Sequence, residues 1–138
     1  MELTIGKLIS AIHRKAHQSI NLKLKDYDID VGQIFLLRYI CRNDGISQEQ
    51  VAQNLYIDKT TVSKSVKRLL RLGYLKRTVN QKDQREYQLF ATERAINLAP
   101  EMEKIHKEIN KTLVNKLSSK EQELLQGILE KIINNFED

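Results

Sequence analysis

Apolar residues in the first part of the chain recur every three or four positions, the spacing that lines one face of an α-helix. This pattern predicts a first helix over Leu3–Leu24, and its stripe consists of Ile5, Leu8, Ile9, Ile12, Ala16 and Ile20. A polar break follows at Lys25–Asp30. Asp30 and Gln33 then have capping-box spacing, which predicts the start of a second helix that stops at Asp44-Gly45.

Two short helices joined by a tight turn are predicted next. Ser47 with Gln50 repeats the capping-box pattern at the start of the first helix, and Asp58 can cap the second. The apolar residues predicted to face inward are Val51, Ala52, Leu55, Val62, Val66, Leu69 and Leu70. Gly73 stands where helices commonly end in the left-handed conformation. The pattern is that of a helix-turn-helix.

The helix pair is followed by a pattern typical of a β-hairpin. Two strands are predicted, at about Tyr74–Val79 and Glu86–Phe90. In the second strand Tyr87 and Leu89 alternate with polar residues, which predicts that both face the interior. The polar connector between the strands is long enough for an extended wing.

The remainder of the chain returns to helical spacing. Ile96, Ala99, Met102, Ile105, Ile109 and Leu113 form one stripe, and Pro100 within it predicts a kink or a restart of the helix. Ser118 with Glu121 caps a last helix, whose wide apolar stripe consists of Leu124, Leu125, Ile128, Leu129, Ile132, Ile133 and Phe136. The predicted fold is mainly α (α+β), with helices at both ends of a winged helix-turn-helix.

Charge is concentrated on the predicted helix-turn-helix and wing. The segment Asp58–Arg85 contains nine Lys or Arg against two acids, a net charge of +7, whereas the whole chain of 138 residues carries +5. Clustered positive charge on a helix and hairpin is typical of a surface that binds phosphates. We therefore expect double-stranded DNA as the partner.

The second helix of the pair is predicted to enter the major groove, because the groove admits one helix. The side chains expected to reach base edges are Thr60, Thr61, Ser63 and Lys64. The side chains expected to meet phosphates are Ser47, Lys59, Lys67, Arg68 and Arg71. Phosphate contacts fix the register of a protein on DNA without reading its sequence.

The wing carries Lys82, Asp83 and Arg85. An arginine at a hairpin tip can enter a narrow minor groove, and Asp83 is expected to hold the guanidinium of Arg85 by a bidentate pair. The alternative is an ordinary solvated tip whose arginine contacts nothing.

With these elements the chain resembles the MarR family of bacterial winged helix-turn-helix transcription regulators over essentially its full length. The most specific match is the wing Asp83-x-Arg85 after the strand Gly73-Tyr74-Leu75-Lys76-Arg77. The resemblance implies a homodimer in which residues 1–30 and 92–138 form a helical dimerisation region. Residues 31–91 would form the DNA-binding lobe, and two lobes would bind a pseudo-palindrome. One departure is that Ala95 stands where the family often has Gly, in Thr-x-x-Gly.

The apolar stripes of the first and last helices favour a dimer independently, because one small domain would leave them exposed. Packing within one subunit is the alternative. The resemblance also implies a small lipophilic or phenolic effector, for which the candidate residues are Ile9, His13, His17, Phe35 and Tyr39. These residues would equally suit a helix interface.

Other chemistry is weakly represented in the sequence. His13 and His17 share a helix face but lack a third ligand nearby, so neither a metal nor another cofactor is expected. Cys41 lies between Arg38 and Arg42, which could lower its pKa, although a buried and inert cysteine is the alternative. No enzyme motif occurs at useful spacing, and catalytic residues are not expected. One cysteine, no signal-peptide pattern and no membrane-length apolar run favour a cytoplasmic protein without a membrane partner.

Together these features predict a cytoplasmic, homodimeric transcriptional repressor that responds to a ligand. Two rivals share the fold: a non-specific architectural DNA-binding protein and a protein-interaction module without DNA binding. The second rival should carry acidic or apolar residues on the recognition face, where Lys59, Lys64, Lys67 and Arg68 stand instead.

Overall fold

The computed structural model describes residues 4–137 and contains six helices and three strands within that range. In chain order the elements are α1 (Ile5–Lys23), α2 (Val31–Cys41), β1 (Ile46–Ser47), α3 (Gln48–Leu55), α4 (Lys59–Arg71), β2 (Leu75–Val79), β3 (Tyr87–Ala91), α5 (Glu93–Val114) and α6 (Ser119–Asn134). The predicted mainly helical fold is confirmed. Leu3, which the first predicted helix included, lies outside the described residues.

The helix starts were predicted from capping patterns, and all three capping boxes are present. In α2, the amide of Gln33 donates to Asp30 Oδ1 at 2.9 Å, and the amide of Asp30 donates to Gln33 Oε1 at 3.1 Å. Such a cap satisfies amides that the helix itself leaves unpaired and contributes about 1 kcal/mol. Asp58 caps α4 as predicted.

The three strands form one antiparallel sheet in the order β1-β3-β2. Arg77 of β2 and Ile46 of β1 both stand opposite Leu89 of β3. The hairpin of β2 and β3 was predicted, whereas β1 was not, because a two-residue strand shows no periodicity. This short strand joins the loop before α3 to the hairpin and so connects the helix pair to the wing.

The core lies where α2, α3 and α4 pack against β3. Its fully buried side chains include Leu37, Ile40, Val51, Val62, Val66, Leu69 and Leu89. Because α4 places three of these on one face, its opposite face is left to solvent.

Some apolar positions of the predicted inward faces are exposed, among them Tyr87, Ile96 and Leu113. Tyr87 is exposed rather than inward, because it is the first residue of β3 and lies next to the exposed tip of the wing. Its ring lies beneath the guanidinium of Arg77, whose Cζ is 4.4 Å from the ring centroid. Ile96 is also exposed, and its neighbour Ala95 takes the buried position at the start of α5. The rest of each predicted face is buried as expected, since Leu89 in β3 and Met102, Ile105 and Ile109 in α5 lie in the interior.

The helix does not restart at Pro100, since α5 runs unbroken from Glu93 to Val114. Proline removes one amide donor from a helix. Pro100 is exposed, so water can hydrogen-bond the carbonyl that loses this donor.

The chain divides into two compact units, one ending at His106 and the other beginning at Lys107. The first unit contains α1 to α4, the sheet and the first part of α5, and the second contains the end of α5 and α6. The predicted division by role, in which residues 1–30 group with 92–138, is a different division and stays a prediction.

Candidate nucleic-acid interface

The exposed face of α4 is polar along its length. Thr60, Thr61 and Lys64 are exposed near the N-terminal end, and Ser63 is half-buried. The opposite face of α4, with Val62, Val66 and Leu69, is buried in the core. The four residues predicted to reach base edges therefore lie together on one turn and a half of helix.

Thr61 has a local partner that the sequence pattern did not reveal. Its hydroxyl donates to Asp58 Oδ1 at 2.6 Å, and its amide donates to Asp58 Oδ2 at 3.0 Å. These hydrogen bonds lower the pKa of Asp58. The Thr61 hydroxyl proton is thus engaged in the cap, whereas Thr60 and Lys64 make no side-chain hydrogen bond to any residue described here.

A basic groove of about 670 Å³ runs beside the C-terminal part of α4. Its charged lining residues are Lys64, Lys67, Arg68, Arg71 and Arg77, and the groove has no carboxylate in its lining. Arg77 belongs to β2 and was not among the predicted contacts. The available signal was its place among the nine cations, but strand spacing alone does not indicate that it faces α4.

The pairing predicted in the wing is present in a different form. Asp83 Oδ1 accepts both the backbone amide of Arg85, at 3.1 Å, and its Nε, at 3.4 Å. A single oxygen is used, so the predicted bidentate fork is wrong. Asn80 Oδ1 accepts the amide of Lys82 at 2.9 Å, which further shapes the tip. The side chain of Arg85 remains 94% exposed.

A second groove of about 490 Å³ separates the wing from the helix pair. Its lining residues are Gln48, Glu49, Ser63, Arg77, Asp83, Arg85, Glu86 and Tyr87. Arg77 lines both grooves, and its guanidinium is held over Tyr87. Lys59 pairs with Glu49 at 3.4 Å across exposed surface, an interaction worth at most about 1 kcal/mol that leaves the lysine available.

The predicted phosphate contact by Ser47 needs correction. Ser47 is 3% exposed, and its hydroxyl accepts the amide of Gln50 at 3.1 Å. A side chain committed to capping α3 inside the lobe cannot reach a phosphate. The donors left at this end are backbone amides of the first turn of α3.

A sequence model of the MarR family matches residues 27–86, which include the helix pair and most of the wing. A MarR transcriptional regulator from Methanosarcina mazei Go1, whose crystal structure is known, shares 34% sequence identity with this chain. The two structures superpose with a TM-score of 0.81, over 95% of this chain and 94% of that chain. The chain belongs to the MarR family. Its relatives are transcriptional regulators, so the predicted class of regulator rather than enzyme is confirmed.

Two further proteins are similar to this chain over most of their length. The uncharacterized HTH-type transcriptional regulator YybA of Bacillus subtilis (strain 168) is 26% identical, over 94% of this chain and 86% of that protein. MepR of S. aureus, solved as a complex with DNA, is 29% identical with a TM-score of 0.88. The alignment covers 98% of this chain and 100% of that one.

The departure from the MarR-family Thr-x-x-Gly pattern leaves the local geometry ordered. Ala95 is fully buried, and its amide donates to Thr92 Oγ1 at 3.4 Å. The same hydroxyl donates to the carbonyl of Gly73 at 2.6 Å. Thr92 thereby caps the first turn of α5 and also connects it to Gly73, the residue that follows the C-cap of α4.

The five residues predicted for an effector site make three separate contacts. The rings of His13 and His17 lie 3.9 Å apart, and Phe35 meets His106 edge-on at 6.5 Å. The hydroxyl of Tyr39 accepts the side-chain amide of Asn54 at 2.7 Å. Ile9 is exposed on α1. These contacts do not define one pocket, and an effector site in this MarR-family protein stays a prediction.

Metal ligands and membrane-spanning helices were also sought among residues 4–137. No group of three metal-ligating side chains occurs there, and none of the helices in this range is long and apolar enough to cross a membrane.

Burial, followed by the charge of Asp44, raises the pKa of Cys41 to about 11. The two arginines expected to lower it instead bond Glu103. Cys41 therefore stays a protonated thiol at neutral pH, which favours the inert interpretation.

Proposed function

We propose that this MarR-family regulator is a sequence-specific repressor that binds a pseudo-palindromic operator as a homodimer. The observation that carries the proposal is the contrast between the two faces of α4. One face is buried in the core, and the other presents Thr60 and Lys64 to solvent beside a groove lined by five cations and no carboxylate.

The side chains of α4 would divide between reading bases and binding phosphates. Lys64 can donate to guanine O6 and N7, and Thr60 can use its hydroxyl or contact a thymine methyl group. Thr61 and Ser63 would make secondary contacts, since one is engaged in the cap and the other is half-buried. The residues proposed to meet phosphates are Lys59, Lys67, Arg68, Arg71 and Arg77.

The wing would supply a minor-groove contact through Arg85, with Lys82 near the backbone. Asp83 holds the amide and Nε of Arg85 and so limits the conformations of the tip before binding. The DNA complex of MepR, whose chain aligns along its whole length with this one, supports a DNA-binding role for the same lobe.

A homodimer is supported by the apolar faces of α1 and α6. Ile5 and Ile12 of α1 are 69% and 51% exposed, and Leu124 and Ile128 of α6 are 59% and 52% exposed. Stripes of this length are rarely left in water. We assign residues 1–30 and 92–138 to the dimer and 31–91 to DNA. Two lobes related by a twofold axis would bind half-sites about 10 bp apart.

Repression and release by a small lipophilic or phenolic molecule complete the proposal. A dimer on an operator would block polymerase, and a ligand that favours another spacing of the two α4 helices would release it. The candidate contacts are Ile9, His13, His17, Phe35 and Tyr39. A thermal-shift screen of phenolic compounds tests this part, and only a hit that also weakens DNA binding supports it.

The main test is fluorescence anisotropy with the duplex upstream of the protein's own gene and a scrambled duplex, at about 50 and 200 mM salt. We expect the native duplex to bind at least about a thousandfold more tightly. Equal binding to both duplexes, falling steeply with salt by counterion release, would favour the architectural rival. No binding to either would favour the protein-interaction rival.

A further inference from the structure

Three side chains from separate elements meet at the C-terminal end of α4. Asp28 lies in the loop between α1 and α2, Tyr74 follows α4, and Arg94 lies in the first turn of α5. We call these three residues the α4–α5 joint. All of them belong to the first compact unit, and none was predicted as a functional residue.

The joint is built from donors that converge on one carboxylate. Tyr74 Oη donates to Asp28 Oδ1 at 2.7 Å, and Arg94 Nη2 donates to Asp28 Oδ2 at 2.9 Å. The guanidinium of Arg94 also covers the Tyr74 ring, with Cζ 4.3 Å from the centroid. Each side chain therefore contacts both of the others.

The joint holds α4 directly through its last carbonyl. Leu72 is the C-cap of α4, and its carbonyl accepts Arg94 Nη1. The final carbonyls of a helix lack intrahelical donors and carry partial negative charge, so a cation is favourable there. Arg68, within α4, donates through Nη2 to the backbone carbonyl of Asp28 at 3.4 Å.

The charges of the joint stay fixed at neutral pH. The hydrogen bond from Tyr74 and the contacts of Arg94 lower the pKa of Asp28, so its carboxylate is ionised. Burial and the neighbouring Asp28 raise the pKa of Tyr74 to about 12, so its hydroxyl remains a donor.

The energetics favour a positional role over a contribution to global stability. The side chains of Arg94 and Asp28 are 50% and 41% exposed, and ion pairs this accessible to water stabilise folding little. A base-reading helix, however, must be held to within about 0.5 Å of its productive position. A contact that is weak for folding can therefore be strong for recognition.

We propose that the α4–α5 joint positions the recognition helix, so that sequence discrimination depends on Arg94 through α4 rather than through a contact with DNA. The proposal rests on the proposed DNA-binding function. It makes Arg94 a positioning residue, and it makes Asp28 the acceptor that orients the guanidinium toward Leu72.

The test compares Arg94→Met with Arg14→Met, which removes an exposed arginine from α1. We expect Arg94→Met to lower the ratio of native-duplex to scrambled-duplex affinity by about tenfold, as one lost base contact would. The slope of log affinity against log salt should stay unchanged. In the free protein, hydrogen exchange of the amides of residues 69–74 should accelerate. Arg14→Met should change none of these quantities.

The outcomes separate the proposals. A salt slope smaller by about 0.9 would make Arg94 a phosphate contact and overturn the positioning role. If the wild type discriminates between the two duplexes, an unchanged affinity ratio in Arg94→Met would overturn the positioning role as well. If the wild type itself binds the native and scrambled duplexes equally, the proposed function is contradicted. The positioning role, which rests on that function, is then contradicted too.

Tyr74→Phe keeps the test decisive if Arg94→Met fails to fold, because it removes only the hydroxyl that bonds Asp28. We expect a smaller loss of discrimination in the same direction. Arg94→Lys keeps the charge but lacks the planar guanidinium that bonds Asp28 and Leu72 through two nitrogens and stacks on Tyr74, so it should fall between wild type and Arg94→Met. Wild-type discrimination in both variants would overturn the proposal.

Discussion

Helices α4 and α6 have similar amphipathic patterns but opposite surroundings. In α4 the apolar residues Val62, Val66 and Leu69 are completely buried. In α6 no residue is buried, and Phe136 just beyond it is 86% exposed. An apolar stripe thus predicts that a face will be covered but does not identify what covers it. For α4 the cover is the lobe itself, and for α6 we propose a second copy of the chain.

The largest effect should come from breaking the face of α6. Ile128→Glu places a charge on a residue that is 52% exposed in one chain, so the subunit should still fold. The dimer should dissociate, because burying an unpaired carboxylate in an apolar interface is costly. Losing two-site binding should then weaken operator affinity by about 10²-fold or more.

Sedimentation velocity and anisotropy on Ile128→Glu measure the two effects together. Lys120→Glu, an exposed charge change on the same helix, is the control and should leave both unchanged. A monomeric Ile128→Glu variant with wild-type affinity would show that dimerisation is not needed for DNA binding, and a variant that stays dimeric would contradict the interface proposed on α6.

The next effect should come from the exposed face of α4. Lys64→Ala should weaken native-duplex binding by about 1–3 kcal/mol and change base preference, because Lys64 is proposed to contact a base edge. Lys67→Ala should instead weaken native and scrambled duplexes alike. Competition anisotropy with single-base variants of the operator distinguishes the two, and identical profiles would remove Lys64 from the base-reading set.

The wing should have a smaller and less selective effect. Arg85→Ala should weaken binding to every duplex with a narrow flanking minor groove and reduce the salt slope by about one. Gln84→Ala, at the same exposed tip, is the control. Salt titrations of both variants check this expectation, and an unchanged affinity in Arg85→Ala would favour a solvated tip that contacts nothing.

The smallest effect on DNA binding is expected at Ser47. Its hydroxyl caps α3 within the lobe, so Ser47→Ala should cost about 1 kcal/mol of unfolding free energy. Ser118→Ala, in the exposed cap of α6, is the matched variant and should cost less. Urea denaturation measures the unfolding free energy of both variants, and fluorescence anisotropy measures their affinity for DNA. A selective loss of DNA affinity in Ser47→Ala would restore the phosphate role rejected for this residue.

Local patterns predicted the helices and their starts well. The capping boxes at Asp30, Ser47 and Ser118 combine two residues three positions apart, so the local sequence contains the whole signal. The wing hairpin followed for the same reason, since strand alternation and a polar connector are local features. Helix α4 was correctly divided into a buried face and a charged face.

Contacts between distant residues were not predictable from these patterns. Arg77 over Tyr87, and Arg94 against Asp28 and Leu72, depend on how separate elements pack. The same limit explains the error at Ser47, where a polar residue at a helix start was taken to be exposed. The same limit applies to the five candidate effector residues. The sequence shows which of them share a helix face, but not that their side chains make separate contacts in the fold.

The most direct test of the central claim is selection of genomic fragments by the purified protein, followed by sequencing of the bound DNA. If α4 reads bases in a homodimer, the enriched fragments should share an inverted repeat with half-sites about 10 bp apart. Lys64→Ala should shift the preferred base within each half-site. Enrichment without any shared motif, or a motif that Lys64→Ala leaves unchanged, would contradict the account.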